Sequence, residues 1–227
     1  MKKSNFSEHS APQGTPEWLA ARIGRLTGSR AVDMLASIKS GEAAARRDYR
    51  YQLATERLTG VPQNGCYVNA DMQWGTEQEP FARMAYEVAT GNLVRQSGFL
   101  AHNAYMAGCS LDGDINDFEG ILEIKCPKSA THIGYLEDDR VPARYLSQIT
   151  HNLWITCAKW CDFVSFDPRM PDGLQLFIVR HHADNDAMRD YEDMALAFLA
   201  ETEELTKRLT ERLTVRNADM RCMPNKN

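Results

Sequence analysis

The sequence lacks any CxxC pair, and its six cysteines (66, 109, 126, 157, 161 and 222) are thinly spread over 227 residues. That density excludes a disulfide-built scaffold, and the missing CxxC weakens a structural zinc reading. Cys157 and Cys161 form the one close pair, at a helix end, where packing is the expected role. An iron–sulfur nuclease would need four clustered cysteines and is disfavoured on the same count. Such free cysteines fit the reducing cytoplasm. No apolar run reaches the length of a membrane span, so no membrane association is expected. The N-terminus, MKKSNFSEHSAPQGTPEW, has no apolar segment after its lysines. It reads as a flexible lead-in over residues 1–15 rather than a secretory signal. No repeat or Pro/Gly-rich linker divides the chain, so a single domain over 1–227 is expected, with a C-terminal helix and tail over 184–227.

Excess positive charge is also missing. The formal net charge is −5, which argues against a protein that coats nucleic acid indiscriminately. A local basic site remains open, because Arg22, Arg25, Arg30, Arg46, Arg47 and Arg50 crowd the first quarter of the chain. The competing reading of that crowd is a solvated helix face. Hydrophobic residues at 43% and charged residues at 25% are ordinary for a globular protein with a sizeable core.

Periodicity and breakers predict helices over 16–21, from Ser29 to about Ile38, over 42–59 and over 74–91. The last of these starts near Thr76 and places Phe81, Ala85 and Val88 on one face. Strands are predicted over 93–100, 105–109, 112–115 and 121–126. A helix from Pro142 to about Cys157, strands over 159–166 and 174–180, and a helix from about 184 to 213 complete the order. Helices, a strand meander, a helix, two strands and a helix describe an α/β fold with a central mixed β-sheet flanked by helices.

The stretch LDGDINDFEGILEIKCPKS (111–129) carries the chemistry. Counted from Asp112, oxygen ligands at positions 1, 3, 5 and 12 imitate an EF-hand calcium loop. Position 6 is Asp117 where that loop needs Gly, position 8 is Glu119 where it needs an apolar residue, and neither flank is helical. Counted from Glu123, strand alternation sends Glu123 and Lys125 to one face, while Leu122 and Ile124 anchor the other in the core. Asp112, Glu123 and the backbone carbonyl of Ile124 then form a hard-oxygen set suited to a divalent cation. Lys125 stands beside them, where it can orient or help deprotonate a water and offset phosphoryl charge. The alternative is a surface hairpin with an exposed Glu–Lys pair of small value.

Asp112 followed by LEIKCP resembles the PD-(D/E)xK nuclease signature, and five blocks in order resemble the phage lambda exonuclease family, the YqaJ-type viral recombinases. They are EWLAARIGRLTGS, WGTEQEPFA, CSLDG with LEIKCP, YLSQITHNLWI and FDPRM, spanning about residues 16 to 180. Leu111 replaces the usual Pro, which contributes no ligand. The resemblance implies a restriction-endonuclease-like fold and a Mg²⁺-dependent 5′→3′ exonuclease on double-stranded DNA. Such an enzyme releases 5′-mononucleotides and leaves 3′ single-stranded overhangs for recombination by strand annealing. It implies two Mg²⁺ ions on Asp112, Glu123 and the Ile124 carbonyl, with Mn²⁺ an expected substitute, and Lys125 acting on the nucleophilic water. Glu79 matches the family's helix glutamate, which helps hold a metal-bound water, and Gln148 its active-site glutamine.

Arg22, Thr27, Ser29 and Ser110 match the pocket for the DNA 5′-phosphate, a role consistent with guanidinium chemistry and with an anion site at a helix start after Ser29. Met72 matches the apolar wedge between terminal base pairs. The expected partners are duplex ends bearing 5′-phosphate, two further copies in a homotrimeric ring, and a single-strand annealing protein. A site-specific or structure-specific endonuclease of the same fold, and a non-catalytic metal- or DNA-end-binding module, are the competing functions.

Overall fold

The computed structural model describes residues 5–63 and 70–221, with side chains through residue 215. Cys66 and Cys222 lie outside the described residues.

Two four-stranded mixed sheets, ordered β1-β3-β4-β2 and β5-β6-β7-β8, share the work expected of one. The first joins β1 (Phe6–His9), β2 (Leu26–Thr27), β3 (Phe99–His102) and β4 (Ala107–Ser110). The second joins β5 (Gly113–Ile115), β6 (Gly120–Lys125), β7 (Trp160–Phe166) and β8 (Leu176–His182). In it β6 runs parallel to β7, while β5 and β8 pair antiparallel at the edges. A parallel pair needs a crossover, and α5 (Ser129–Asp138) with α6 (Ala143–Thr156) supplies it between β6 and β7.

The alternation expected for β6 holds. Leu122 and Ile124 pack into a core with Ala82, Tyr86, Ile115, Val164 and Phe166, under α4 (Ala70–Thr90). Ile121 points the other way, into the larger core with Ile149, Leu153, Phe163 and Phe198. Each such buried side chain contributes roughly 1.5–3 kcal/mol relative to exposure. Glu123 is buried on the side of Ile121, so the strand carries a carboxylate into a nearly closed environment.

Several local expectations are corrected. Residues 6–9, placed in the flexible lead-in, form β1 and pair with β3, with Phe6 packed edge-on against Phe118. Strand structure begins at Phe99, not Leu93; before it Arg95 makes a lone bridge to Asp114. The helix expected from Ser29 to Ile38 is a 3-10 turn, Gly28–Arg30, followed by the single turn α2 (Ala31–Met34). Helix α4 begins before Thr76 and runs through Pro80. Its buried side chains are Ala82 and Tyr86, whereas Phe81 and Val88 are exposed. Helix α5 was not foreseen; its sequence SATHIGYLED has a central glycine and no side-chain N-cap.

The calcium-loop count fails on geometry. Asn116, Asp117 and Phe118 are a left-handed turn (φ 50°, 55° and 64°) between β5 and β6, and the Asp114 side chain binds Arg95. The crowd of arginines resolves into ion pairs: Arg46 and Arg50 share Glu42 and Glu201, and Arg30 pairs with Asp33. Glu201 belongs to α7 (Asn185–Arg221), so this cluster ties α3 (Ala44–Thr59) to α7 rather than offering a free basic face. Cys157 is exposed as the C-cap of α6 while Cys161 lies buried in β7, so of the pair only Cys161 packs in the core.

Buried His151 links α6 to both neighbours. Its Nε2 lies 3.0 Å from the Gly108 carbonyl, which can only accept, so Nε2 carries the proton and Nδ1 accepts from the Tyr191 hydroxyl at 2.7 Å. Burial pulls its pKa down to about 4, from about 6.5 in the unfolded chain. Between these values the unfolded chain binds the extra proton. His151 therefore contributes stability that is complete above pH 6.5 and lost as pH falls toward 4, up to about 3 kcal/mol. Denaturant titrations of the wild type and His151→Gln, compared from pH 7.5 to 4.5, should show the gap narrowing as pH falls. A constant gap would contradict this assignment.

Candidate active site

Three elements converge where β6 ends. Strand β6 brings Glu123 and Lys125, the segment between β4 and β5 brings Asp112, and α6 brings Gln148 and Asn152. Lys125 Nζ donates to Glu123 Oε1, and Asn152 Nδ2 donates to Glu123 Oε2 at 3.3 Å. The Asp112 carboxylate accepts the Ile124 N–H at 2.6 Å, which clips the loop to the strand. From α4, Arg83 Nη2 donates to Glu79 Oε1 at 2.6 Å, and Arg83 Nε donates to the Asp112 carbonyl at 3.2 Å. Glu79, Asp112, Ile124, Lys125 and Met72 all line one open cleft of about 370 Å³.

The electrostatics are those of a cation site. Burial, reinforced by Asp112 against the counter-effect of Lys125, raises Glu123 above the usual carboxylate range. Glu79 is raised in the same direction by burial and by Asp112. Burial alone would pull the Lys125 ammonium down, but Glu123 and Asp112 hold it above its usual range. Among the described residues no three His, Cys, Asp or Glu side chains converge closely enough to hold an ion by themselves. A divalent cation here would therefore use two carboxylates with the Ile124 carbonyl and water. That hard-oxygen set fits Mg²⁺ or Mn²⁺ and leaves room for phosphate.

A second, tighter cavity of about 170 Å³ adjoins the first. Its walls include Arg22, Ser29 and Ser110 together with Asp112, Lys125, Gln148 and Asn152. Arg22 Nη1 and Trp18 Nε1 both donate to the Ser110 hydroxyl, at 3.3 and 3.0 Å. The guanidinium lies over the Trp18 ring, 4.1 Å from its centre. It has no carboxylate partner among the described residues, and burial lowers its pKa. A partly buried cation without a counter-charge is a receptor for an anion.

Not every expected residue lines this cavity. Thr27 is buried beneath it as a β2 residue, its N–H donating to the Tyr49 hydroxyl at 3.1 Å. Ser29 sits within the 3-10 turn and does not cap a helix, and the single-turn α2 offers no appreciable dipole, so an anion here would have to be held by side chains. Sequence reasoning missed Trp18, Arg83 and Asn152. Asn152 is four residues after Gln148 on the same face of α6, a spacing that would have found it. Gly28 makes room for it: a Cβ there would lie 2.4 Å from Asn152 Oδ1.

The fold and this site define a nuclease of the restriction-endonuclease-like class. Residues 17–159 match the YqaJ-like viral recombinase domain, and the chain belongs to that family. It is similar to the alkaline exonuclease LHK-Exo of Laribacter hongkongensis, at 38% identity over 88% of this chain and 98% of that one, with a TM-score of 0.79. The same enzyme in complex with dAMP superimposes with a TM-score of 0.80, again at 38% identity over 88% and 98% of the two chains. A phage-related exonuclease from Haemophilus somnus shares the fold at 16% identity and a TM-score of 0.65, over 82% of this chain and 96% of that one. No curated protein matches the chain.

Proposed function

We propose that the protein is a Mg²⁺-dependent 5′→3′ exonuclease on double-stranded DNA that releases 5′-mononucleotides. One observation carries this reading: Arg22 and Ser110, which would receive the anion, line the same small cavity as Asp112 and Lys125, which would cut. A terminal phosphate held by Arg22 and Ser110 would lie in the same small cavity as Lys125, beside the cutting residues. The bond presented for hydrolysis is then the first in the strand. A site-specific endonuclease of the same fold has no use for such a receptor.

The roles of this chain's residues follow from their geometry. Asp112, Glu123 and the Ile124 carbonyl would hold the metal, two ions per site by family resemblance, with Glu79 reaching it through water. When bound, Mg²⁺ supplies Lewis-acid stabilisation of the attacking and leaving oxygens. Lys125 spends one N–H on Glu123 and directs the others toward the attacking water and a phosphate oxygen. Asn152 holds Glu123 from the other oxygen, and Gln148 adds a polar contact beside the scissile phosphate. Met72, exposed and lining the larger cleft, would meet the terminal base pair. By family resemblance the enzyme assembles as a homotrimeric ring around duplex DNA and works with a single-strand annealing protein. The cytoplasm, where DNA and reduced cysteines coexist, is the proposed compartment; no described helix is long and apolar enough to cross a membrane.

Arg22→Ala tests the pocket. Wild-type enzyme should digest a 5′-phosphorylated duplex at least about 10-fold faster than its 5′-hydroxyl counterpart, the value of one good charge-assisted contact. The variant should lose most of that preference. An unchanged preference would remove Arg22 from the phosphate site.

A further inference from the structure

Beyond the catalytic cleft lies a cavity of about 400 Å³ to which no role has been given. It shares Asp71, Cys126 and Pro127 with the cleft, so the two are continuous. Three cationic side chains line it: Lys128, Arg144 and Arg169. Two are already neutralised. Lys128 pairs with Asp71 at 2.9 Å, and Arg169 pairs with buried Asp167 at 2.7 Å while lying over the Trp74 ring.

Arg144 differs. It has no carboxylate partner among the described residues, yet it is not a loose surface arginine. Its guanidinium is held over two rings, 4.8 Å from the centre of Tyr145 and 5.4 Å from that of Tyr135. Stacking of this kind orients the planar fork and leaves its N–H edge open. In the same cavity wall the Trp74 indole N–H is buried with no acceptor among the described residues. An unpaired, pre-oriented cation and an unpaired donor around one cavity ask for an oxyanion.

Tyr145 also sets the distance. Lys125 Nζ lies 5.3 Å from the centre of the ring that Arg144 covers at 4.8 Å, so the two cations are at most about 10 Å apart. At ~3.4 Å of rise per nucleotide in a strand, that spans no more than about three nucleotides. Lys125 lines both the Arg22 cavity and the cleft that adjoins the Arg144 cavity, so a strand can run from Arg22 past Lys125 to Arg144.

Building on the exonuclease reading, we propose that Arg144 binds a backbone phosphate of the degraded strand, one to three nucleotides 3′ of the scissile bond. With the 5′-phosphate receptor, this second grip registers the strand across the cut.

The test is a coupling experiment. Duplexes carrying one neutral methylphosphonate, at each of the first three phosphates 3′ of the cut, are digested by wild type and Arg144→Gln. At one position the neutral linkage should lower wild-type kcat/KM by about 10-fold, as expected for one charge-assisted contact. Arg144→Gln should lose a similar factor on the all-phosphate duplex and nothing further from that methylphosphonate. Effects that multiply at all three positions, or full activity in Arg144→Gln, would overturn the proposal. A parallel arm measures duplex binding in the Lys125→Ala background with and without Arg144→Gln. Loss of the arginine should lower the salt slope by about 1, and an unchanged slope would count against it. If wild type releases no mononucleotide, the exonuclease reading fails, while the binding arm still judges Arg144.

Discussion

Lys125→Ala should cut DNA about 10²–10⁴-fold more slowly than wild type while still binding duplex ends within a few-fold. The magnitude is that of a positioned proton-transfer or charge-stabilising group. Binding should survive because the hydrogen bonds that join Arg22 and Trp18 to Ser110 in the terminal-phosphate pocket do not involve Lys125. The variant also removes the partner of buried Glu123. Breaking a fully buried pair costs about 3–5 kcal/mol, but Lys125 opens onto the cleft and Glu123 keeps Asn152, so the loss of stability should be well below that. Lys125→Arg should not rescue, since a planar fork cannot take the place of a compact ammonium beside Glu123. Single-turnover digestion alongside end-binding titrations checks both halves; near wild-type cutting would show that Lys125 has been given the wrong role.

The second large effect belongs to Asp112→Asn. The amide oxygen can still accept the Ile124 N–H, so the loop stays clipped to β6. What is lost is a carboxylate that shares its surroundings with Glu79 and Glu123. Cutting should fall at least about 10³-fold, comparable to losing a principal electrostatic element of a site. Wild-type thermal stability should rise with added Mg²⁺ or Mn²⁺, because a ligand that binds only the folded state stabilises it by mass action, and this rise should shrink sharply in the variant. In chelator, Asp112→Asn should be as stable as wild type or more so, because one of three crowded negative charges is gone. Active sites commonly trade stability for function in this way. An equal metal-induced shift in both proteins would contradict a metal role for Asp112.

Much of the site was legible because its signals are local. Two-residue alternation in ILEIK put Glu123 with Lys125 and sent Leu122 and Ile124 to the core, and the structure keeps that arrangement. The failures share a different cause. Arg46 meets Glu201 across 155 residues of sequence, and no pattern in a window of sequence encodes that contact; Asn152 meets Glu123 across 29, and only its helical spacing from Gln148 points to it. Phe6–His9 is a strand only because the β3 edge is there to pair with it. Thr27 has the right residue type for a phosphate ligand, but its pairing with Gly108 in the sheet buries it. On α4 the expected apolar face is Phe81, Ala85 and Val88, whereas tertiary packing keeps only Ala85 of these, buries Ala82 and Tyr86, and uses the Tyr86 hydroxyl to bind Asp162 at 2.7 Å.

The central claim is that the phosphate receptor and the cutting residues act on one strand end. The most direct measurement is digestion of a linear duplex with Mg²⁺, its strands labelled separately at the 5′-terminal nucleotide and at the 3′ end. The account predicts early release of the 5′-label as mononucleotide, persistence of the 3′-labelled strands as long single strands, and no reaction in chelator. Internal fragments without mononucleotide, release from the 3′ end first, or no cleavage with any divalent metal would contradict it.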